Sequence, residues 1–99
     1  MVKVVIMCDV PKEKQEEFLK LSREGTKPYM EAHGVISYDV WKTDEEGSPG
    51  FIKEMYVKDV AAAHEIFRIR ATDPVTKDLV DRWEGMTENL NLKIYTLMT

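Results

Sequence analysis

The stretch GFIKEMYVKDVAAAH, residues 50–64, decides how the chain folds. Phe51 to Val57 reads as a strand, although a charged residue, Glu54, stands in its middle. Asp59 follows at once and can accept hydrogen bonds from the free amides of a first helical turn, so VAAAHEIFRIRA reads as a helix carrying His64 behind three alanines.

Working outward, the polar run TDEEGSPG at 43–50 is a turn of the kind that joins antiparallel strands. Ahead of it, GVISYDVWK restarts the chain at Gly34 as a strand of plain alternation. Val2 to Asp9 is rich in β-branched residues and forms another strand, closed by Pro11, which suits a first helical turn. KEKQEEFLKLSRE and TKPYMEAH supply a helix and a second helical piece, with Phe18, Leu21, Gly25, Tyr29 and Ala32 on one stripe. Asp73 and Pro74 cap and open a further helix whose apolar stripe is Val75, Leu79, Trp83 and Met86. LNLKIYTLM closes the chain as a fourth strand.

The order strand, helix, strand, strand, helix pair, strand is that of an α+β, ferredoxin-like split βαβ arrangement. It predicts a four-stranded antiparallel sheet with helices on one side. Ninety-nine residues make one domain, 1–99, large enough to bury a core without disulfides. With 43% hydrophobic and 32% charged residues, the composition is that of a soluble globular protein. No apolar run approaches the roughly 20 residues that a membrane span requires. A net charge of −4, with basic residues interleaved among acids as in PKEKQEE, argues against nucleic acid as a partner. The single cysteine, Cys8, excludes an internal disulfide and suits a reducing cytoplasm. The start, MVKVVIMCDVPKE, lacks a basic leader and a small-residue cleavage site and is read as a strand, not a signal peptide.

Helices on one side leave the other face of the sheet bare. Alternation assigns Val4, Ile6, Cys8, Ile36, Tyr38, Val40, Phe51, Met55, Val57, Leu92, Ile94 and Met98 to the helix side, and a mixed set that includes Trp41, Glu54, Tyr56 and Tyr95 to the other. The second set is too aromatic for a water-washed face, so a homodimer is expected, with two copies laying these sides together. Glu54 is then read as half of a structural ion pair, with Lys93 or Lys3 as partner, or as an interface hydrogen-bonding group. A raised-pKa base is the minor reading.

These features resemble the antibiotic biosynthesis monooxygenase family, within the dimeric α/β-barrel group, over nearly all 99 residues. The resemblance is carried by Gly34 with Tyr38 in GVISYDVWK, the glutamate two residues before an aromatic in KEMYVKD, the alanine-rich helix with His64, the helix from Pro74 and the last strand. The fold is shared with ethyl tert-butyl ether degradation-like proteins and muconolactone isomerases, so it implies a fold more directly than a reaction. The resemblance implies a homodimeric barrel with a pocket between sheet and helices in each subunit. It also implies oxidation of small phenolic or quinol-type aromatics by molecular oxygen with no cofactor, the deprotonated substrate itself giving an electron to oxygen.

His64 is placed at the spacing Val60, His64, Phe67, Ala71, which predicts a buried helical stripe. Two readings stand: a catalytic base for an acidic phenol, or a core histidine bonded to a backbone carbonyl. The family often has a histidine at the matching place, which keeps His64 as the catalytic candidate. Tyr38, Phe67 and Trp83 are candidates to contact a flat ligand, or plain core residues. Arg70 could neutralise an anionic substrate, or be a solvated helix-end cation. His33 and His64 lie far apart, and one cysteine makes no zinc cluster, so no metal is expected.

A haem-degrading version of the fold would need an asparagine on the first strand and a histidine in the helix from Pro74. VVIMCDV and PVTKDLVDRW contain neither. The alternative to an enzyme is a binding module that carries a small hydrophobic molecule, or a purely structural dimer.

Overall fold

The computed structural model describes residues 1–44 and 50–99. Four strands, β1 (Val2–Asp9), β2 (Ser37–Lys42), β3 (Phe51–Val57) and β4 (Glu88–Thr96), form one antiparallel sheet in the order β2-β3-β1-β4. Helices α1 (Gln15–Leu21), α2 (Lys27–Ala32), α3 (Val60–Thr72) and α4 (Pro74–Glu84) make the connections. This is the ferredoxin-like α+β arrangement that the element order predicts. The turn expected at 43–50 falls, for residues 45–49, outside the described residues.

Register sorts the sheet faces. Val4 pairs with Met55 and Ile94, Ile6 with Lys53 and Leu92, and Tyr38 with Met55. Val2, Val4, Ile6 and Cys8 meet the helices fully buried, together with Phe51, Met55 and Val57. Cys8 is a free thiol in that core, where burial pushes its pKa up. Lys53 belongs to the same face by the two-residue period of a strand, and it too is fully buried.

The helices pack with a different phase from that expected. Between α1 and α2 the chain makes a π-helical turn, Ser22–Thr26, in which the Lys27 amide donates to the Ser22 carbonyl. That wider turn carries one residue more than an α-turn. The residues that go fully inside are Phe18, Ser22, Thr26 and Met30. Leu21, Gly25 and Tyr29 are half-buried, and Ala32 is exposed. On α4 the buried residues are Thr76, Val80 and Trp83, with Val75 exposed.

Two aspartates start α3 and α4 as the sequence predicts. Asp59 accepts from the Ala62 amide at 2.8 Å, and Asp73 from the Thr76 amide at 3.2 Å. Asp73 also accepts from the hydroxyls of Thr76 and Tyr29, both at 2.6 Å, which ties α2 to α4. These donors, Thr76 foremost, hold the Asp73 carboxyl at about 2.

β4 is covered least. All nine of its residues are exposed, including Leu90, Leu92 and Ile94 on the helix-facing side. No helix among the described residues is long and apolar enough to cross a membrane.

Candidate functional site: a cavity between sheet and helices

A cavity of about 170 Å³ lies under the helices. Its floor is the sheet, through Ile6, Tyr38, Met55, Leu90 and Leu92. Its roof comes from Thr26 and Met30 on the first helical layer, from Ile66, Phe67 and Arg70 on α3, and from Thr76, Val80, Trp83 and Glu84 on α4. Tyr38, Phe67, Arg70 and Trp83, far apart in sequence, therefore line one space.

Tyr38 is fixed from behind. Its amide donates to a Glu31 carboxylate oxygen at 3.0 Å, and its carbonyl accepts from Lys27 Nζ at 2.5 Å. Lys27 also pairs with Glu31 at 3.1 Å. α2 thus clamps the backbone of edge strand β2 where Tyr38 turns inward. The Tyr38 side chain is 1% exposed, and its hydroxyl has no hydrogen-bond partner. Burial, with the neighbouring Cys8 adding to it, pushes the phenol well above its ordinary pKa, so Tyr38 is a neutral donor.

Thr26 is the second unpartnered hydroxyl on the wall, at 2% exposed. One helical turn earlier, Ser22 donates back to the Phe18 carbonyl at 2.8 Å. The equivalent acceptor for Thr26 would be the Ser22 carbonyl, which takes the Lys27 amide in the π turn. Other polar groups on the wall are already matched. Thr76 is bonded to Asp73 and lies 3.0 Å from the Tyr29 hydroxyl, and Arg70 pairs with Glu84 at 2.5 Å. Arg70 is thus at the cavity, as sequence suggests, with its charge already met by a carboxylate.

His64 requires a correction. It is exposed, as are Val60 and Ala71, and it does not line the cavity. The face of α3 that turns inward is Ala63 and Ile66, flanked by Ala62, Phe67 and Arg70. The stripe Val60, His64, Ala71 is one residue out of phase with it, and only Phe67 is common to both. A core hydrogen bond for His64 is excluded by the same exposure.

Lys53 is the residue that the sequence reading passed over. Its ammonium nitrogen lies 4.0 Å from the centre of the Trp83 ring, 4.8 Å from Phe18 and 5.4 Å from Tyr38, with no hydrogen-bond partner. Attraction to ring faces is worth about 2 kcal/mol when desolvated, whereas removing an ammonium from water costs several kcal/mol. Desolvation wins. It lowers the pKa from 10.5 to about 7, against smaller opposing effects from Cys8 and Glu84. The signal for Lys53 was its place between Phe51 and Met55 in a strand that alternates.

On the outer face, Trp41 is 59% and Tyr95 46% exposed, with Tyr56 and Glu54 half-buried beside them. Glu54 stands across from Val5 and Asp39, while Lys93 is on the far side of Val5. Lys3 is paired in register with Tyr56 and Tyr95. Among the described residues of one chain Glu54 forms no ion pair. No group of three His, Cys, Asp or Glu among the described residues is placed to hold a metal ion.

The architecture is shared widely. A crystal structure of an antibiotic biosynthesis monooxygenase is 18% identical and superimposes with a TM-score of 0.73 over 100% of both chains. A proposed antibiotic biosynthesis monooxygenase from Deinococcus radiodurans is 16% identical, with a TM-score of 0.74 over 100% of this chain and 94% of that one. A NIPSNAP domain protein from Burkholderia xenovorans reaches 0.78 at 14% identity, over 99% and 95% of the two chains. At such identities the likeness establishes the fold alone. No curated protein matches the chain. The family model for antibiotic biosynthesis monooxygenase matches residues 1–68, which span β1 to the middle of α3 and hold Thr26, Tyr38, Lys53 and Phe67. On that match, over more than half of its length, the chain belongs to the antibiotic biosynthesis monooxygenase family.

Proposed function

We propose that the chain is a cofactor-independent monooxygenase that oxidises a small phenol or quinol with molecular oxygen inside this cavity. The observation that carries the reading is an apolar space walled by Tyr38, Phe67 and Trp83. Such a space holds a flat ring and excludes water from it. The electrons come from the substrate: a hydroquinone plus O2 yields a hydroxyquinone plus water, one oxygen atom entering the ring and the other leaving with two hydrogens.

Oxygen uptake with a panel of hydroquinones and phenols tests the reading. Turnover that is lost when the cavity is filled by Val80→Trp supports it, and no uptake across the panel sinks it. Because His64 points away from the cavity, His64→Ala is expected to leave the rate within about twofold, against the 10²–10⁴-fold loss typical of removing a general base. A loss of that size would restore His64 as the base.

A second reading, a non-catalytic carrier of the same ligands, is favoured by one observation. The charged groups lining the cavity, Arg70 and Glu84, hold each other, so neither is a free base.

The exposed Trp41 and Tyr95 and the uncovered β4 support a homodimer as the working form. Leu90 and Leu92 belong both to β4 and to the cavity wall, so a second copy seated on β4 would also close the cavity. Sedimentation is expected to give twice the chain mass, and Trp41→Glu combined with Tyr95→Glu to give the monomer. A wild-type monomer at micromolar concentration would refute the assembly.

A further inference from the structure

We propose that the two copies of the homodimer meet with their twofold axis along the strands, so that Lys93 of each copy neutralises the neighbouring carboxylates Asp39 and Glu54 of the other. The inference rests on the reading of the outer sheet face as the homodimer interface and adds which residues meet across it.

One row of that face carries acid at one end and base at the other. In register across the sheet the row reads Asp39 on β2, Glu54 on β3, Val5 on β1 and Lys93 on β4. Asp39 and Glu54 are two like charges directly opposite on neighbouring strands, an arrangement that repels. Lys27 reaches Asp39 from α2 at 3.4 Å. Among the described residues of one chain, no cation reaches Glu54, and Lys93 forms no ion pair. Covering this face without pairing its charges is unfavourable, because each then loses its water.

Two copies of one face meet through a twofold axis lying between the sheets, and that axis can run in two ways. Across the strands, it sets each strand on its own counterpart. Lys93 then never meets the acids, and with Val5 at the axis acid lies over acid. Along the strands, it reverses the order, so that β2-β3-β1-β4 of one copy lies over β4-β1-β3-β2 of the other. Lys93 of the second copy then stands over Asp39 beside Glu54, twice by symmetry. Packed sheets cross at about 30°, which displaces facing residues at the edges by about one position, within the reach of a lysine. The same reversal sets the exposed Trp41 over Asn91 and the exposed Tyr95 over Ser37, large side chains against smaller ones. Opposite charges that meet in only one orientation select that orientation.

Sedimentation equilibrium tests this on the wild type, on Lys93→Glu, and on a swapped chain carrying Asp39→Asn, Glu54→Lys and Lys93→Glu. The dimer dissociation constant is expected to rise about tenfold or more in Lys93→Glu and to return to within about threefold of wild type in the swapped chain. Carbodiimide coupling of the wild type gives a readout that needs no substitution. In dimers of isotope-labelled and unlabelled chains, the digest should join Lys93 of one chain to Glu54 or Asp39 of the other. Lys93→Glu dimerising as tightly as wild type, a folded swapped chain no tighter than Lys93→Glu, or coupling that yields no such junction would each overturn the proposal. A wild-type monomer would sink the homodimer reading together with this one. A tight dimer indifferent to these charges spares that reading and sinks only the inference.

Discussion

Replacing Lys53 with methionine makes the protein more stable at neutral pH, by about 2–4 kcal/mol, and removes the rise of its stability between pH 7 and pH 9. The cause is a cation placed where the sheet and helices leave no partner for it. Its pKa is 10.5 in the unfolded chain and about 7 in the folded one. Between those values the unfolded chain holds a proton that the folded chain does not, so stability rises with pH across this window. Above the upper value the amine is neutral in both states and costs least. Below the lower value both states are charged, and the cost is complete and constant. Integrated with both pKa values, the Lys53 contribution should rise by about 2 kcal/mol between pH 7 and pH 9. Methionine has nearly the same length, no charge, and a sulfur suited to the rings of Trp83, Phe18 and Tyr38. Urea denaturation of both proteins at several pH values checks this. A flat wild-type curve over that window, or a variant less stable at pH 7, would show that Lys53 has a partner in solution.

Trp83→Ala is expected to have the opposite sign and similar size. Trp83 is 4% exposed, lines the cavity and is the ring nearest the Lys53 nitrogen. Deleting a buried tryptophan side chain costs about 3–5 kcal/mol, a large share of the 5–15 kcal/mol typical of a domain. The void also admits water to Lys53, whose pKa should then move back toward its ordinary value. The two substitutions are therefore coupled. Lys53→Met should gain less in the Trp83→Ala background than in the wild type, by about 1 kcal/mol or more. Denaturation of the four proteins at pH 7 measures this. Additive effects would mean that Trp83 does not seal Lys53 from water.

The sheet was legible because a strand repeats every two residues and its neighbours take opposite sides. GVISYDVWK and FIKEMYVK show that alternation openly, and Tyr38 and Met55 fall on the inner face as it requires. The helices were legible in extent but less so in rotation. In α3 the run Ala61–Ala63 carries almost no information about which side faces inward. Val60 and Phe67 then suggested a stripe that put His64 inside, whereas the tertiary packing chose Ala63 and Ile66. Along the first helical layer, no residue announces the π turn that puts Thr26 into the cavity. Tyr38, Phe67 and Trp83 were found because large aromatics on facing elements converge wherever the fold is known. Lys53 was missed because a lysine flanked by Phe51 and Met55 contradicts the rule that charges stay wet, and alternation was the only witness for it.

β4 presents nine exposed residues at the rim of the sheet, hydrogen-bonded on one side only, to β1. Open backbone donors and acceptors of that length are a template on which any extended segment can add. Chains refolding at high concentration are therefore exposed to edge-to-edge aggregation through β4. Refolding at a lower final protein concentration, rather than a longer wait, is what should raise the yield of recovered protein.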